Sequence, residues 1–266
     1  MLATMAPPLV DLLADLRSGQ DELRGLLASL DADGWARPTP SAGWTVRHQV
    51  RHLAQGEELG RLAATDADAF GQELVRLLGD LDAVEAETTA ATDGDPGADL
   101  ERWWEAAEGL RAAVAAGPTD EPISWVTGPM SRGSFVTARV METFAHGHDI
   151  AVAVGRPLAA GFALRHVAHL GVATRGFAFA NRGEVPPAQP VRVELTGPAG
   201  DVWAWGPDDA PEAVRGPALD FCLLVTQRIH RDDTALEAVG PGAEAWLAIA
   251  QCFAGPPTDG PPPSAS

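Results

Sequence analysis

The chain has no lysine. All 19 of its basic side chains are arginines, set against 37 Asp and Glu, so the formal net charge is −18 over 266 residues. Such acidity opposes nonspecific binding to nucleic acid and to anionic membrane surfaces, and neither is expected as a partner. Cysteine is nearly absent as well. Cys222 and Cys252 are too few for a disulfide framework, and a reduced, cytoplasmic setting is the simplest reading. No run of eighteen apolar residues occurs, which argues against a transmembrane helix. Residues 1–8 lack the basic start and apolar stretch of a signal peptide. The absence of lysine, with many Ala, Gly, Pro and Arg, points to a GC-rich bacterial genome. What is present in quantity is apolar: 45% hydrophobic residues suffice for the core of one large domain or two modest ones.

Helical periodicity dominates the first two thirds of the sequence. Leu9, Leu12, Leu13, Leu16, Leu23, Leu26, Leu27 and Leu30 mark a first long helix, followed by a loop over 31–42. Thr45 is a good N-cap for a second helix with Val46, Val50, Leu53 and Ala54 inward. Periodic leucines predict a helix over 70–89, and Asp93 to Gly97 is a break. Leu100, Trp103, Trp104, Ala107, Leu110 and Val114 mark the next helix. After a short apolar stretch at Ile123, a helix is expected over about 131–154, closed by Gly155, and another over 162–181. Near Pro186 the pattern changes. Val191 to Leu195 alternates with period two, Asp201 to Trp205 reads as its partner strand, and 210–229 and 242–253 read as helices. The expectation is a mainly α protein: an up-and-down helical bundle over 1–185, a small α+β domain over 186–255, and a proline-rich tail over 256–266 without a fixed structure.

The most informative chemistry lies in the run from Arg139 to Asp149. Glu142 and His146 are four residues apart, so on a helix they share a face and offer a divalent metal two ligands. At about 100° per residue, His148 points away from His146 while Asp149 stays near that face. Asp149 is then a candidate to bind the second imidazole nitrogen, bind substrate, or shuttle a proton. The second helix supplies His48 and His52, and His52, one position before the core residue Leu53, is the better third ligand. Two histidines and one carboxylate with a fourth position open is the donor set of a catalytic zinc site, though Ni, Fe or Mn would accept it too. The bland readings stand beside this one: a Glu-x3-His spacing is common by chance, His52 can be a packed polar residue, and His166 with His169 reads as structural or pocket-lining.

Two motifs together resemble a known superfamily. Gly43-Trp-Thr-Val-Arg-His-Gln-Val-Arg-His-Leu53 and Arg139-Val-Met-Glu-Thr-Phe-Ala-His-Gly-His-Asp149 resemble the two helical motifs of the DinB-like superfamily. Within it the chain is most similar to the mycothiol-dependent maleylpyruvate isomerase family. The resemblance implies a DinB-like four-helix bundle, a metal held by His52, Glu142 and His146 (zinc in the isomerase branch), a low-molecular-weight thiol as cosubstrate, and an active-site arginine from the C-terminal domain. Arg228 matches that arginine, but Gln227 stands where the family has glycine, which puts the dicarboxylate specificity in doubt. His48 is a second departure, standing where an acidic residue would complete a capping box. Having no carboxylate, it is expected either to reach the pocket or to lie on the surface.

Three functions follow as expectations. The first is a metal-dependent S-transferase or isomerase that acts on a small electrophilic or carbonyl substrate with mycothiol, with Asp149 or His48 moving a proton and Arg228 pairing with a substrate carboxylate. Arg139 and Arg175 are weaker candidates for that pairing. The second is a thiol-independent cyclase, ring-opening enzyme or hydrolase of secondary metabolism. The third is a metal- or hydrophobic-ligand-binding protein without catalysis. A monomer or homodimer is expected in each case.

Overall fold

The structure, a computed structural model, describes residues 7–90, 94–159 and 161–264, apart from the side chain of Phe162. The expectation of no leader peptide concerns residues mostly outside this set. Two compact units divide at Ala159/Ala160. The change in sequence character near 186 had suggested a later boundary. The difference arises because the helix beginning at Gly161 packs with elements of the second unit, whereas its apolar periodicity reads like that of the helices before it.

The first unit contains α1 (Leu9–Leu27), the one-turn α2 (Ala32–Trp35), α3 (Val46–Thr65), α4 (Ala67–Gly79), α5 (Leu81–Thr89), α6 (Pro96–Ala116), a short antiparallel pair β1 (Ile123–Trp125) and β2 (Gly128–Met130), and α7 (Arg132–Val154). The helix predicted over 70–89 is two helices, because Asp80 leaves helical geometry and caps the second through a hydrogen bond from the Ala83 N–H. The long helices α1, α3, α6 and α7 make the bundle: α1 and α3 each pack against both α6 and α7. Their inward positions include those the periodicity marked, Leu23, Leu27, Val46, Val50, Leu53 and Trp103 among them, and Ile150 of α7 joins them. Each such buried aliphatic side chain contributes roughly 2 kcal/mol of transfer free energy. Gly60 lets α3 and α6 approach closely, since a Cβ there would lie 2.5 Å from Leu110 Cδ1. The Ser131 side chain accepts the Ser134 N–H at the start of α7, and Gly155, at φ 66°, ends it.

The second unit contains α8 (Gly161–Ala173), α9 (Arg175–Ala180), β3 (Val191–Thr196), β4 (Val202–Trp205), β5 (Glu212–Pro217), α10 (Ala218–Val225), β6 (Glu237–Val239) and α11 (Pro241–Leu247). Its sheet has the order β4-β3-β5-β6, with β3 and β5 parallel and the other pairs antiparallel. The helix expected over 210–229 is a strand followed by a helix. Ala213 and Val214 are buried against the sheet, and Gly216-Pro217 breaks the segment before α10 begins. Residues 256–264 carry no regular element. Expected to be disordered, they are tied down through Thr258 and Asp259 to Arg182 and through Ser264 to Asp233.

Among the described residues, no helix is long and apolar enough to cross a membrane. The expected mainly α architecture, with a helical N-terminal bundle and a small C-terminal α+β unit, is what the structure has.

Candidate metal centre

Helices α3 and α7 lie side by side and bring the site together. His52 comes from α3, and Glu142 and His146 from successive turns of α7. One ligand atom from each lies within 4.8 Å of the other two. Glu142 Oε2 is 3.2 Å from His146 Nε2 and 4.0 Å from His52 Nε2. Ligand atoms around a tetrahedral ion at 2.0–2.2 Å stand about 3.3–3.6 Å apart, close to the Glu142–His146 separation and shorter than the Glu142–His52 one. The imidazole rings are 4.6 Å apart between centroids. His146 and Glu142 are 12% and 22% exposed in their side chains, whereas His52 is 41% exposed. The cluster therefore opens to solvent on the His52 side, the geometry a site needs for a small molecule to reach it.

Burial pushes the Glu142 carboxyl toward a higher pKa. The His146 hydrogen bond and the charges of Arg139, His146 and His52 outweigh it, and the carboxyl is held well below the usual carboxylate range. A carboxylate kept ionised between two imidazoles is a donor set that fits a divalent cation.

Further side chains hold these three in place. Gln49, one turn before His52 on α3, has its Oε1 2.5 Å from His146 Nδ1, and its Nε2 donates to Thr39 Oγ1 and Ser41 Oγ, each at 3.0 Å. The Trp44 ring stacks near His146 at 6.3 Å and packs against His52 at 5.2 Å, while its Nε1 donates to Glu85 at 2.6 Å. Beneath the cluster, Arg139 Nε stands 3.4 Å from Glu57 Oε2. Gln20 Nε2 donates to Glu57 Oε1 at 3.1 Å, and Arg111 donates to Gln20 Oε1. Burial raises the Glu57 pKa, Arg139 and Arg111 pull it down, and Glu142 pushes it up again.

Not every residue singled out from the sequence lies in this cluster. Asp149 is 2% exposed and accepts hydrogen bonds from Ser41 Oγ at 3.1 Å and Gln49 Nε2 at 3.4 Å, and Gln49 links it to His146. His48 does what a histidine was not expected to do: its Nδ1 accepts the Thr45 backbone N–H at 3.2 Å and so completes the capping box of α3. Burial, then the charge of Arg51, lowers its pKa, which keeps that nitrogen free to accept. Arg139 is committed to Glu57. Arg175 belongs to the second unit and donates to Pro187 O. Arg228 also belongs to the second unit, directly after the turn that ends α10, and donates to Thr226 O. His169 Nδ1 accepts the Trp205 indole N–H within that unit.

Gln49, Trp44 and Glu57 were not among the candidate site residues, although Trp44 and Gln49 lie within the first of the two motifs. Gln49 carried a usable signal, since it lies three residues before His52 and therefore on the same helix face. Nothing in the sequence pairs Glu57 with Arg139, eighty-two positions away.

A family model described as the N-terminal domain of mycothiol maleylpyruvate isomerase matches residues 16–151. The chain is also 44% identical over 253 residues to "Uncharacterized protein Rv0036c" of Mycobacterium tuberculosis (strain ATCC 25618 / H37Rv), covering 93% of this chain and 97% of that one. The chain belongs to the mycothiol maleylpyruvate isomerase family. A counterpart from strain CDC 1551 / Oshkosh, "Uncharacterized protein MT0041", matches to the same extent. Among solved structures, a crystal structure of the mycothiol-dependent maleylpyruvate isomerase superposes with a TM-score of 0.57 at 16% identity, covering 91% of this chain and 99% of that one. A histidine-to-alanine mutant of that enzyme matches with the same TM-score at 15% identity. At such identity the likeness is one of fold. In this family member the segment matched by the isomerase model includes His52, Glu142 and His146. A second model, described as wyosine base formation, matches residues 187–239 and so covers all four strands of the second unit's sheet together with Arg228.

Proposed function

We propose that the chain is a metal-dependent enzyme of small-molecule chemistry, a mycothiol-dependent S-transferase or isomerase that acts on an electrophilic or carbonyl substrate. The observation that carries this reading is the convergence of His52, Glu142 and His146 on one point, open on one side, in a domain of the mycothiol maleylpyruvate isomerase family. The two histidines and the carboxylate would hold the ion, with zinc the foremost candidate and nickel, iron or manganese compatible with the same donors. When bound, a divalent ion supplies a Lewis acid and lowers the pKa of a thiol or water beside it.

The chain's own residues do the rest. Glu142 contributes one negative charge, so a doubly charged ion leaves the site net positive and attractive to a thiolate. His52, the most exposed of the three, stands at the entrance. Trp44 covers His52 and His146 with an apolar face and limits the approach of water from that side. Arg228 is the residue proposed to pair with a substrate carboxylate. Asp149 was a candidate proton shuttle, but its burial and its bonds to Ser41 and Gln49 support a role behind His146 instead.

The test is consumption of mycothiol in the presence of a panel of small electrophiles, maleylpyruvate included. The reading expects turnover that stops on chelation, returns with zinc, and is lost in His52→Ala. Turnover of an electrophile without thiol would replace the thiol-dependent reading with the thiol-independent one. Binding of hydrophobic ligands that survives removal of the metal, with no turnover, would favour a non-catalytic role.

A further inference from the structure

We propose that Asp149 acts as a positioning residue that sets the tautomer of His146 through the side chain of Gln49, and so presents the bare Nε2 of His146 to the metal. This rests on the metal reading above and adds to it a relay of donors and acceptors outside the ligand set.

The Thr39 hydroxyl donates to the Trp44 carbonyl oxygen at 3.1 Å, which can only accept. The Ser41 hydroxyl donates to Asp149 Oδ2 at 3.1 Å, and a carboxylate also only accepts. Both hydroxyl hydrogens are therefore spent. The group that meets Thr39 Oγ1, Ser41 Oγ and Asp149 Oδ2 together must be a donor, and that group is the amide of Gln49. The NH2 end of Gln49 is thereby fixed on this side, and Oε1 is turned to His146. Oε1 and His146 Nδ1 are 2.5 Å apart, and an oxygen without hydrogens can bond there only to an N–H. The hydrogen of a neutral ring sits on Nδ1, and Nε2 is the nitrogen that faces Glu142 Oε2 at 3.2 Å. In the metal-free protein a proton on Nε2 fills that gap, and a bound metal ion takes its place.

Asp149, which also holds the Ser41 hydroxyl hydrogen, thus helps to decide through Gln49 which nitrogen of His146 is available. Its placement fits that role: it lies one turn beyond His146 on α7, is 2% exposed, and meets Gln49, itself fully buried on α3. Metal-bound histidines are commonly oriented by a carboxylate or carbonyl on their second nitrogen, and loss of that partner weakens metal binding by about 10–100-fold. Here the carboxylate is one amide further away.

The proposal makes an isosteric substitution consequential. On this proposal the new NH2 group of Asp149→Asn, rather than its oxygen, faces Ser41 and Gln49. The Gln49 amide turns over to accept from it, and its own NH2 then points at His146 Nδ1. Nδ1 must accept, the hydrogen moves to Nε2, and the ligand position is blocked. The double variant Gln49→Glu/Asp149→Asn exchanges the charges. The carboxylate introduced at position 49 accepts from the amide introduced at position 149 on one side. On the other it accepts from the His146 Nδ1–H, so Nε2 is bare again.

The experiment uses the full chain and two readouts. Zinc affinity is measured by chelator competition, and the 15N shift of His146 Nδ1 is measured by NMR in metal-free protein. The expected result is about 10–100-fold weaker zinc binding in Asp149→Asn, with far-UV circular dichroism unchanged and at least tenfold recovery in the double variant. Nδ1 is expected to be protonated in wild type and in the double variant, and bare in Asp149→Asn. Unchanged zinc affinity in Asp149→Asn overturns the proposal. So does weaker binding that the double variant fails to recover, or an Nδ1 that stays protonated in Asp149→Asn. If wild type binds no zinc while Nδ1 switches as expected, the relay stands and the metal reading falls. If zinc binds and Nδ1 does not switch, the relay falls alone.

Discussion

Arg139 Nε lies 3.4 Å from Glu57 Oε2, and the two side chains are 5% and 0% exposed. Arg139 sits one turn before Glu142 on α7, so the pair forms a charged floor under the metal ligands. Removing one member of a buried ion pair strands the other, at a cost of about 3–5 kcal/mol. Arg139→Met is expected to lose about that much stability in urea denaturation of the metal-free protein, because Glu57 is left with Gln20 and Arg111 alone. A loss below about 1 kcal/mol would show that Glu57 and Arg139 are not paired in solution.

The acid limb of stability reports on Glu142. Its folded pKa is depressed below the ordinary value of 4.5. A depressed carboxyl contributes stability that is present above its unfolded pKa and is lost as pH falls through the folded one. Metal-free wild type should therefore lose stability progressively below about pH 4.5. Glu142→Gln should lack this contribution, so the gap in unfolding free energy between the two proteins should narrow from pH 5.5 toward pH 3, measured in chelator. Glu57 works in the opposite sense, since its pKa is raised, and because Glu142 is one cause of that rise the effect is weaker in Glu142→Gln and offsets part of the narrowing. A gap that widens with acidification would contradict the placement of Glu142 between two imidazoles.

His48 is assigned to the helix start. Loss of a capping interaction costs about 0.5–2 kcal/mol. His48→Ala is expected to fall in that range by urea denaturation, whereas His48→Glu, which restores an ordinary capping box, should keep wild-type stability. Neither should change zinc stoichiometry. A His48→Ala protein of full stability that fails to turn over substrate would return His48 to the pocket.

Gln227 occupies the left-handed position that ends α10, with φ 57°, and the Arg228 N–H to Leu223 O and Gln227 N–H to Leu224 O bonds complete a Schellman turn. The turn therefore has the conformation a glycine would take. The Gln227 side chain offsets part of the strain by donating to Thr258 O at 3.0 Å and accepting from Thr258 Oγ1 at 2.5 Å. Gln227→Gly relieves the backbone and loses these bonds, so its net effect should stay within about 1 kcal/mol. Gln227→Val, β-branched at positive φ and without those bonds, should cost about 2 kcal/mol. Thermal unfolding of the two variants checks the pair. Equal values would mean that the position is not held left-handed.

Periodicity made the bundle legible because each long helix buries one face: the leucines of α1 and the Trp103 face of α6 are inward as expected. It failed at β5, where Ala213 and Val214 are too few to show a period of two, and at Asp80, where one residue divides a continuous apolar pattern. The candidate ligands were legible because Glu142 and His146 share a helix face and two motifs recur together in one superfamily. The partners of those ligands were not. Gln49 meets His146 across 97 positions and Glu57 meets Arg139 across 82, and no local spacing encodes such pairs. His48 was misjudged for a different reason: an imidazole nitrogen accepts a backbone N–H as a carboxylate does, so the capping box is a matter of hydrogen-bond capacity and not of charge.

The central claim is that His52, Glu142 and His146 hold one divalent ion. It is tested most directly by elemental analysis of the purified full chain, wild type beside Glu142→Ala, after dialysis against metal-free buffer. The account predicts close to one equivalent of a transition metal, zinc foremost, in wild type and a large loss in Glu142→Ala. Wild-type protein that carries no metal and takes up none from added zinc, or a variant that retains the full equivalent, would contradict it.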